Sequence, residues 1–455
     1  MSNTVFAAAP TTGTVLSGSS LNTITANTVS DSISGFSDFS VTDYLPENAI
    51  NVGGNLYMNR NDELFIYCDK EKSSMGERDV KRKTRYFAII GANYGDEGKG
   101  YVTQRLCQEN KGMNLCYLYN GGMQRGHTVV NEKDSKRHVF HCFGSGTFTG
   151  AATYWGPDFL IDPEAVLLEK EELGFMPQIY CWTNCFIVTP YDIMLNKVKE
   201  SLRGNLNHGS CGMGIYETIV RSKTIPIFAH ELNDMWTIST KMAKIRDYYW
   251  EQYKQLGLSN EPPEVSLELF YRGIALINEK VTTSNKNILD IEWDNVFFEG
   301  GQGLALSQKN KDDMPFLTPS YTGSENIAKA IGNNPIKVHY VTRPYLTRHG
   351  AGPLPDEDFE IAQLVSYDQT NIPNDWQGTL RHAPLNIEDM KKRIEEDLKC
   401  YKKRPWVCLY MTDSEDGRAL MQTDEPQRAS DPKYPYMSIE QDIAGLIDEY
   451  RFSRN

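Results

Sequence analysis

Residues 91–100 read Gly91-Ala92-Asn93-Tyr94-Gly95-Asp96-Glu97-Gly98-Lys99-Gly100. Closely spaced glycines let a backbone turn sharply and aim N–H groups at phosphate oxygens where a helix begins. Lys99 adds a mobile positive charge. The segment departs from the Walker A pattern, because Asn93 stands at its first glycine position and Gly100 replaces the Ser or Thr that binds Mg²⁺. Asp96 is placed to take over that metal duty, to act as a base, or to do both. The plain alternative is a glycine-rich turn with solvated charges, and a strand before it with a helix after it argue against that. A second segment, Gly121-Gly122-Met123-Gln124-Arg125-Gly126-His127-Thr128, follows the next expected strand. Alone, His127 is as readily structural as catalytic. Paired with Asp96 at a neighbouring strand end, it is a credible acid partner to a base.

These loops need strands and helices to hold them. Residues 86–90 (Tyr-Phe-Ala-Ile-Ile) form a short apolar run ending at Gly91, the signature of a buried parallel strand. Residues 101–109 predict a helix and 115–119 the next strand, in βαβ order. Further apolar runs at 178–189, 295–298, 337–341 and 406–410 alternate with helical stretches at 191–203, 234–257 and 387–401, and a last helix ends near Arg451. The pattern predicts an α/β domain, 84–455, with a mainly parallel central sheet flanked by helices. Residues 1–48 are rich in Ser, Thr, Asn, Gly and Ala with almost no charge, and read as a polar low-complexity arm. Residues 49–83 predict a β-hairpin, 55–58 against 63–67, followed by a charged linker.

Composition narrows the partners. The net charge of -13 and the lack of a basic stripe argue against nucleic-acid binding, although local donors can hold a small anionic nucleotide. No apolar run reaches the ~18 residues that span a bilayer. The first basic residue is Arg60, so a signal peptide's charged n-region is missing. Nine scattered cysteines suit reduced thiols and a cytoplasmic location. Cys181 and Cys185 lack a second pair for zinc and read as buried thiols.

Taken together, 91–100 and 121–128 resemble the adenylosuccinate synthetase family, whose fingerprint runs G-x-x-W-G-D-E-G-K-G and then G-G-x-N-A-G-H-T. Here Tyr94 replaces the Trp, and Gln124-Arg125 replace Asn-Ala. Further blocks follow in family order: His141 to Gly146, Asp162-Pro163-Glu164-Ala165, Phe298-Glu299-Gly300-Gly301-Gln302-Gly303, and Thr347 to Pro355. The likeness covers roughly 84–416 and implies a P-loop-related fold and a ligase joining L-aspartate to a purine nucleoside monophosphate at the expense of GTP or ATP.

The resemblance also implies roles. Asp96 would deprotonate purine N1 while O6 attacks the γ-phosphate, and His127 would stabilise the developing charge. Lys99 would neutralise phosphate charge, and Mg²⁺ would sit on Asp96 and the Gly126 carbonyl. Gly95, Glu97, Gly98, Gly100, Gln124 and Thr128 complete the nucleotide-binding loops. Gln302 would read the O6/N1 edge and Thr318 the 5′-phosphate. Ser210 and Cys211 lie in a segment similar to the family's G-T-T-G-R-G loop, with Cys211 for Thr and Met213 for Arg. Arg221 is the candidate for an arginine reaching across a homodimer. Arg381 matches one arginine of the aspartate loop, and Thr379 stands for its companion. Asp413 matches the donor-base aspartate, without the preceding lysine.

Three readings follow. The first is a ligase making adenylosuccinate from IMP. The second is a phage-type ligase acting on dGMP in 2-aminoadenine synthesis, virus-encoded and acting in host cytoplasm or virion. Thr379 favours it by relaxing contact with the ribose hydroxyls, whereas Asp96 opposes it, since those enzymes typically carry a smaller residue there. The third is an inactive relative serving as a structural or virion protein, its N-terminal arm binding a protein partner.

Overall fold

The computed structural model describes residues 84–131, 133–204, 208–258, 260–358, 378–403 and 405–412, and the backbone of short strands in 5–66 and 437–438. The chain divides into two compact units, Met1–Lys81 and Arg82–Asn455. In the first, β1 (Val5–Phe6), β2 (Thr14–Val15), β3 (Ser40–Val41), β4 (Ile50–Gly53), β5 (Leu56–Met58) and β6 (Leu64–Ile66) form one sheet, in the order β2-β4-β5-β1-β6-β3. β5 and β6 pair antiparallel, Leu56 opposite Ile66 and Met58 opposite Leu64, as the hairpin reading expects. β1, β2 and β3 fall in the stretch read as an arm without elements. Two-residue strands in a Ser/Thr-rich stretch carry no period to reveal them.

The second unit is built on β7 (Arg85–Gly91), β8 (Asn114–Leu118), β11 (Ala152–Trp155), β12 (Ile179–Trp182), β13 (Val281–Ser284), β14 (Asn295–Gly303), β15 (Ile336–Thr342), β18 (Trp406–Met411) and β19 (Met437–Ser438). Their order is β13-β12-β11-β8-β14-β7-β15-β18-β19, and every pairing is parallel except the edge pair β18–β19. Two hairpins stand outside this sheet: β9 (His127–Val130) with β10 (Arg137–Phe140), and β16 (Tyr345–Arg348) with β17 (Arg381–Pro384).

Burial explains the sheet. β7 alternates its side chains between two cores: Tyr86, Ala88 and Ile90 enter one, Phe87 and Ile89 the other. A strand covered on both faces must be apolar throughout, as this one is. The chain leaves β7 through α1 (Lys99–Glu109) and enters β8, but β14 lies between β7 and β8. The βαβ order is therefore present without adjacency, and the C-terminal end of β14 opens between both loops singled out in the sequence.

The helices α2 (Pro163–Leu173), α3 (Pro190–Arg203), α4 (Ile215–Ser222), α5 (Met235–Gln255), α6 (Glu268–Lys280), α7 (Glu325–Ile331) and α8 (Ile387–Leu398) complete the unit. Their starts are local chemistry. Asp162 accepts hydrogen bonds from the Glu164 and Ala165 amides ahead of Pro163, and Thr189 with Asp192 forms a capping box ahead of Pro190.

Candidate active site

The loop after β7 is ordered mainly by its own glutamate. Glu97 Oε1 accepts from the Asn93 amide at 2.9 Å and the Gly95 amide at 3.0 Å, and Thr412 Oγ1 donates to the Glu97 carbonyl at 2.6 Å. Lys99 Nζ donates to the Gly95 carbonyl and lies 3.6 Å from Glu97 Oε2. Gly98, at φ 87°, caps α1 in the left-handed region that favours glycine. From α8, Arg393 Nη2 grips Asn93 Oδ1 at 2.6 Å. Gly303, at the end of β14, touches the loop so closely that a β-carbon there would lie 2.2 Å from the Asn93 carbonyl.

His127 lies against this loop, since a β-carbon on Gly100 would sit 2.7 Å from His127 Cβ. Its Nδ1 is 2.5 Å from Glu299 Oε1 and 2.7 Å from Arg125 Nη2, while Arg125 Nη2 is itself 2.7 Å from Glu299 Oε1. Ser145 closes the cluster, its amide donating to Glu299 Oε2 at 3.0 Å and its hydroxyl to Oε1. All four side chains are buried. Burial, reinforced by Arg125, pushes His127 down to about 3. Burial alone would raise Glu299, but Arg125, His127 and Ser145 outweigh it and hold the carboxyl at about 2. An ionised Glu299 orients the imidazole through Nδ1, and Nε2 has no partner among the described residues.

Asp96 is only partly buried, and its Oδ2 is 3.8 Å from His349 Nε2. Gln302 lies over Gly95, whose β-carbon would meet Gln302 Oε1 at 3.5 Å. The second glycine loop, 209–214, joins through its backbone: a β-carbon on Gly209 would lie 2.2 Å from the Ala351 amide nitrogen. Ser210 accepts from Asn196 at 2.9 Å, and burial pushes the Cys211 thiol up to about 11. Gln124 folds over Gly121 and Gly122, and Gly122 faces Ile215 at the start of α4. Arg381 donates to the carbonyls of Gly350 at 3.1 Å and Gly352 at 2.8 Å, and pairs with Glu357.

The structure thus gathers Gly95, Asp96, Glu97, Gly98, Lys99, Gly100, Gln302 and His127 around the start of α1, with Gln124 and Gly126 on the adjoining loop, Thr128 in β9 behind it, and Ser210, Cys211 and Arg381 near 350–352. Thr318 follows β14 on a segment tied to Leu306 at 3.0 Å, and Thr379 is exposed beside Arg381. Arg221 is a correction. It is fully buried, bonded to Asp192, Ser222 and the carbonyls of Ile187 and Ile225, so its guanidinium is consumed within the chain and does not reach across a dimer. Asp413 and the helix expected near Arg451 lie outside the described residues. Sequence reasoning assigned no role to Arg125, Ser145, Glu299 or His349. All four stood in recognised blocks, and that was the available signal for them.

A parallel α/β sheet whose central strand ends in a glycine loop at a helix N-terminus defines the P-loop-related class of α/β folds. Comparison with known proteins narrows the class. The adenylosuccinate synthetase family model matches residues 88–374. An adenylosuccinate synthetase of Psychrobacter sp. (strain PRwf-1) is 28% identical over 286 residues, covering 60% of this chain and 65% of that protein. That of Bordetella parapertussis is 27% identical over 296 residues, covering 61% and 66%. The chain thus spans about 65% of the length of these curated relatives. Among solved structures, fully ligated adenylosuccinate synthetase from Plasmodium falciparum shares the fold with a TM-score of 0.57 at 21% identity, over 71% of this chain and 76% of that one. The cyanophage S-2L succinoaminodeoxyadenylate synthetase PurZ, bound to dGMP and dATP as energy donor, reaches 0.50 at 18% identity, over 82% and 91%. The chain belongs to the adenylosuccinate synthetase family.

Proposed function

We propose that this chain is an NTP-dependent ligase that joins L-aspartate to C6 of a purine nucleoside monophosphate, with IMP as the preferred substrate. The observation that carries the reading is the convergence of Asp96, Gln302 and His127 on the start of α1. Asp96 takes the N1 proton as O6 attacks the γ-phosphorus and the nucleoside diphosphate departs. The amine of aspartate then attacks C6, expels inorganic phosphate and loses its extra proton to solvent. Oxygen is a poor leaving group from C6 until phosphorylated, so the route needs a phosphate site and a base side by side. His127 Nε2, held by Glu299 behind it, faces the transferring group.

Among the described residues no cluster of three or more His, Cys, Asp or Glu forms a cation cage. That donor set still fits Mg²⁺, which binds through one or two carboxylates and substrate phosphates. Asp96 and the exposed Gly126 would hold it. When bound, it would draw charge from the phosphate oxygens.

IMP is preferred because a guanine 2-amino group would be pushed towards Asp96. The dGMP reading is favoured by one residue, the exposed Thr379, which offers a ribose hydroxyl less than an arginine would. Losing one charged hydrogen bond costs ~1.5–3 kcal/mol, so ribose and deoxyribose forms should be accepted within about a hundredfold. The test supplies IMP, dIMP, GMP and dGMP together with Mg²⁺, aspartate and ATP or GTP, and weighs the products by mass spectrometry. Dominant succinyl product from IMP and dIMP is expected. Dominant conversion of dGMP would promote the second reading, and no succinyl product from any base would overturn both.

A further inference from the structure

The loop after β8 carries a charge that family resemblance does not explain. Where the family pattern has alanine before Gly-His, this chain has Arg125. Its side chain is among the most deeply buried in the protein, 1% exposed. Only Nη2 is engaged, by Glu299, with His127 Nδ1 2.7 Å away. Nε and Nη1 have no hydrogen-bond partner among the described residues. The same loop leaves both amide atoms of Gln124 and Nε2 of His127 without partners. Buried polar groups are almost always paired, and an idle charged donor is the costliest exception.

Arg221, equally buried, is the contrast. In Arg221, Nε, Nη1 and Nη2 all find acceptors. Arg125 has one carboxylate on one nitrogen, and the remaining edge of the guanidinium is buried without an acceptor. The arginine reaches the phosphate loop through His127, which lies 2.7 Å from Arg125 Nη2 and abuts Gly100. The first loop's own groups are occupied meanwhile, with Glu97 on the Asn93 and Gly95 amides and Lys99 on the Gly95 carbonyl. The three idle donors of this loop, Arg125 Nε, Arg125 Nη1 and Gln124 Nε2, lack an acceptor in common, and an oxyanion supplies one.

We propose that Arg125 is a second phosphoryl-binding cation of this site, donating from Nε and Nη1 to oxygens of the phosphoryl group as it passes from the triphosphate to the purine. Glu299 holds the guanidinium in place through Nη2. A phosphoryl group in transfer spreads its charge over three equatorial oxygens, and a planar guanidinium fork suits two of them. The inference rests on the ligase reading for its kinetic arm only.

The test compares the full chain with Arg125→Met, which keeps the volume of the stem, and Arg125→Lys, which keeps the charge and loses the fork. In the first arm, thermal unfolding is followed with and without millimolar inorganic phosphate. Wild type should be stabilised, Arg125→Lys partly, and Arg125→Met not at all. In the second arm, kcat for succinyl product should fall at least ~10²-fold in Arg125→Met with KM for aspartate within about threefold, as for loss of a charge-stabilising donor. Arg125→Lys should recover about a tenth of the wild-type kcat. If Arg125→Met keeps the phosphate-dependent shift, or keeps kcat within threefold while merely melting earlier, Arg125 is a counter-ion to Glu299 and the proposal fails. If Arg125→Met does not fold, Arg125→Lys decides alone, and wild-type kcat in it overturns the proposal. Should wild type bind phosphate through Arg125 but make no succinyl product, the ligase reading fails and the anion site stands.

Discussion

At the scale of single residues, the site sets two neighbouring titrations against the solvent. Burial and Arg125 keep His127 neutral down to about 3, against an ordinary value of 6.5. Glu299 stays ionised down to about 2, against 4.5, because Arg125, His127 and Ser145 outweigh its burial. Both groups bind fewer protons folded than unfolded between those limits, so both make stability fall as pH drops. The loss attributable to His127 begins near its unfolded value and continues to about 3, and that of Glu299 begins near 4.5 and continues to about 2. Urea midpoints between pH 7 and 3 should therefore decline, and His127→Asn should flatten the upper part of the decline. A midpoint that rises between pH 6.5 and 5 would show that the folded protein prefers the imidazolium. Asp96 poses a simpler case. Asp96→Asn keeps the size and removes both base and metal charge, so turnover should drop at least ~10²-fold with an unchanged melting temperature. Comparable rates for the two proteins would remove Asp96 from the mechanism.

At the scale of elements, the loop after β7 depends on contacts that no local sequence reading supplies. Gly303 has an ordinary φ of -100°, yet a β-carbon there would meet backbone atoms of Asn93 and Gly95 at 2.2 and 2.6 Å. Neither atom belongs to a side chain that could swing away. Gly303→Ala should push the phosphate loop off its seat, costing roughly 1–3 kcal/mol of stability and most of the nucleotide affinity. Gly174→Ala is the control. At φ 87° it is strained, ~1 kcal/mol, but nothing lies within 4 Å of its β-carbon. Calorimetric nucleotide binding should separate the two, and equal affinity would mean the loop yields freely. The same geometry explains what the sequence showed. β7, α1 and β8 were legible because apolar runs bounded by glycines leave few options. Asp96, Lys99 and His127 were legible because their spacing on those elements is chemical. Nothing local placed β14 between β7 and β8, and so Glu299, although inside a recognised block, could not be seen as the partner of a histidine 172 positions away. β11 and β13, four residues each, are too short to show a period. α2 went unread as a helix although Asp162-Pro163, its cap and first residue, was quoted as a family block.

At the scale of the whole chain, the question is what residues 1–83 do for the rest. The strands of the six-stranded sheet all lie between Val5 and Ile66, and the nine-stranded sheet takes its strands from Arg85 onward. No strand pairing among the described residues joins the two, so cutting before Thr84 leaves every described ladder of the second sheet intact. The loops that carry Asp96, His127, Gln302 and Arg381 lie downstream as well. Thr84 itself is worth keeping, since its hydroxyl donates to the Trp293 carbonyl at 2.8 Å and ties the start of β7 to the segment leading into β14. A chain beginning at Thr84 should therefore retain succinyl-product turnover within about threefold and melt within a few degrees of the full protein. An insoluble product, or a loss of turnover beyond tenfold, would show that the first unit belongs to the catalytic fold and that the boundary is misplaced. A chain that keeps full turnover and loses only its association with another protein would instead make the first unit an assembly device carried by a working enzyme.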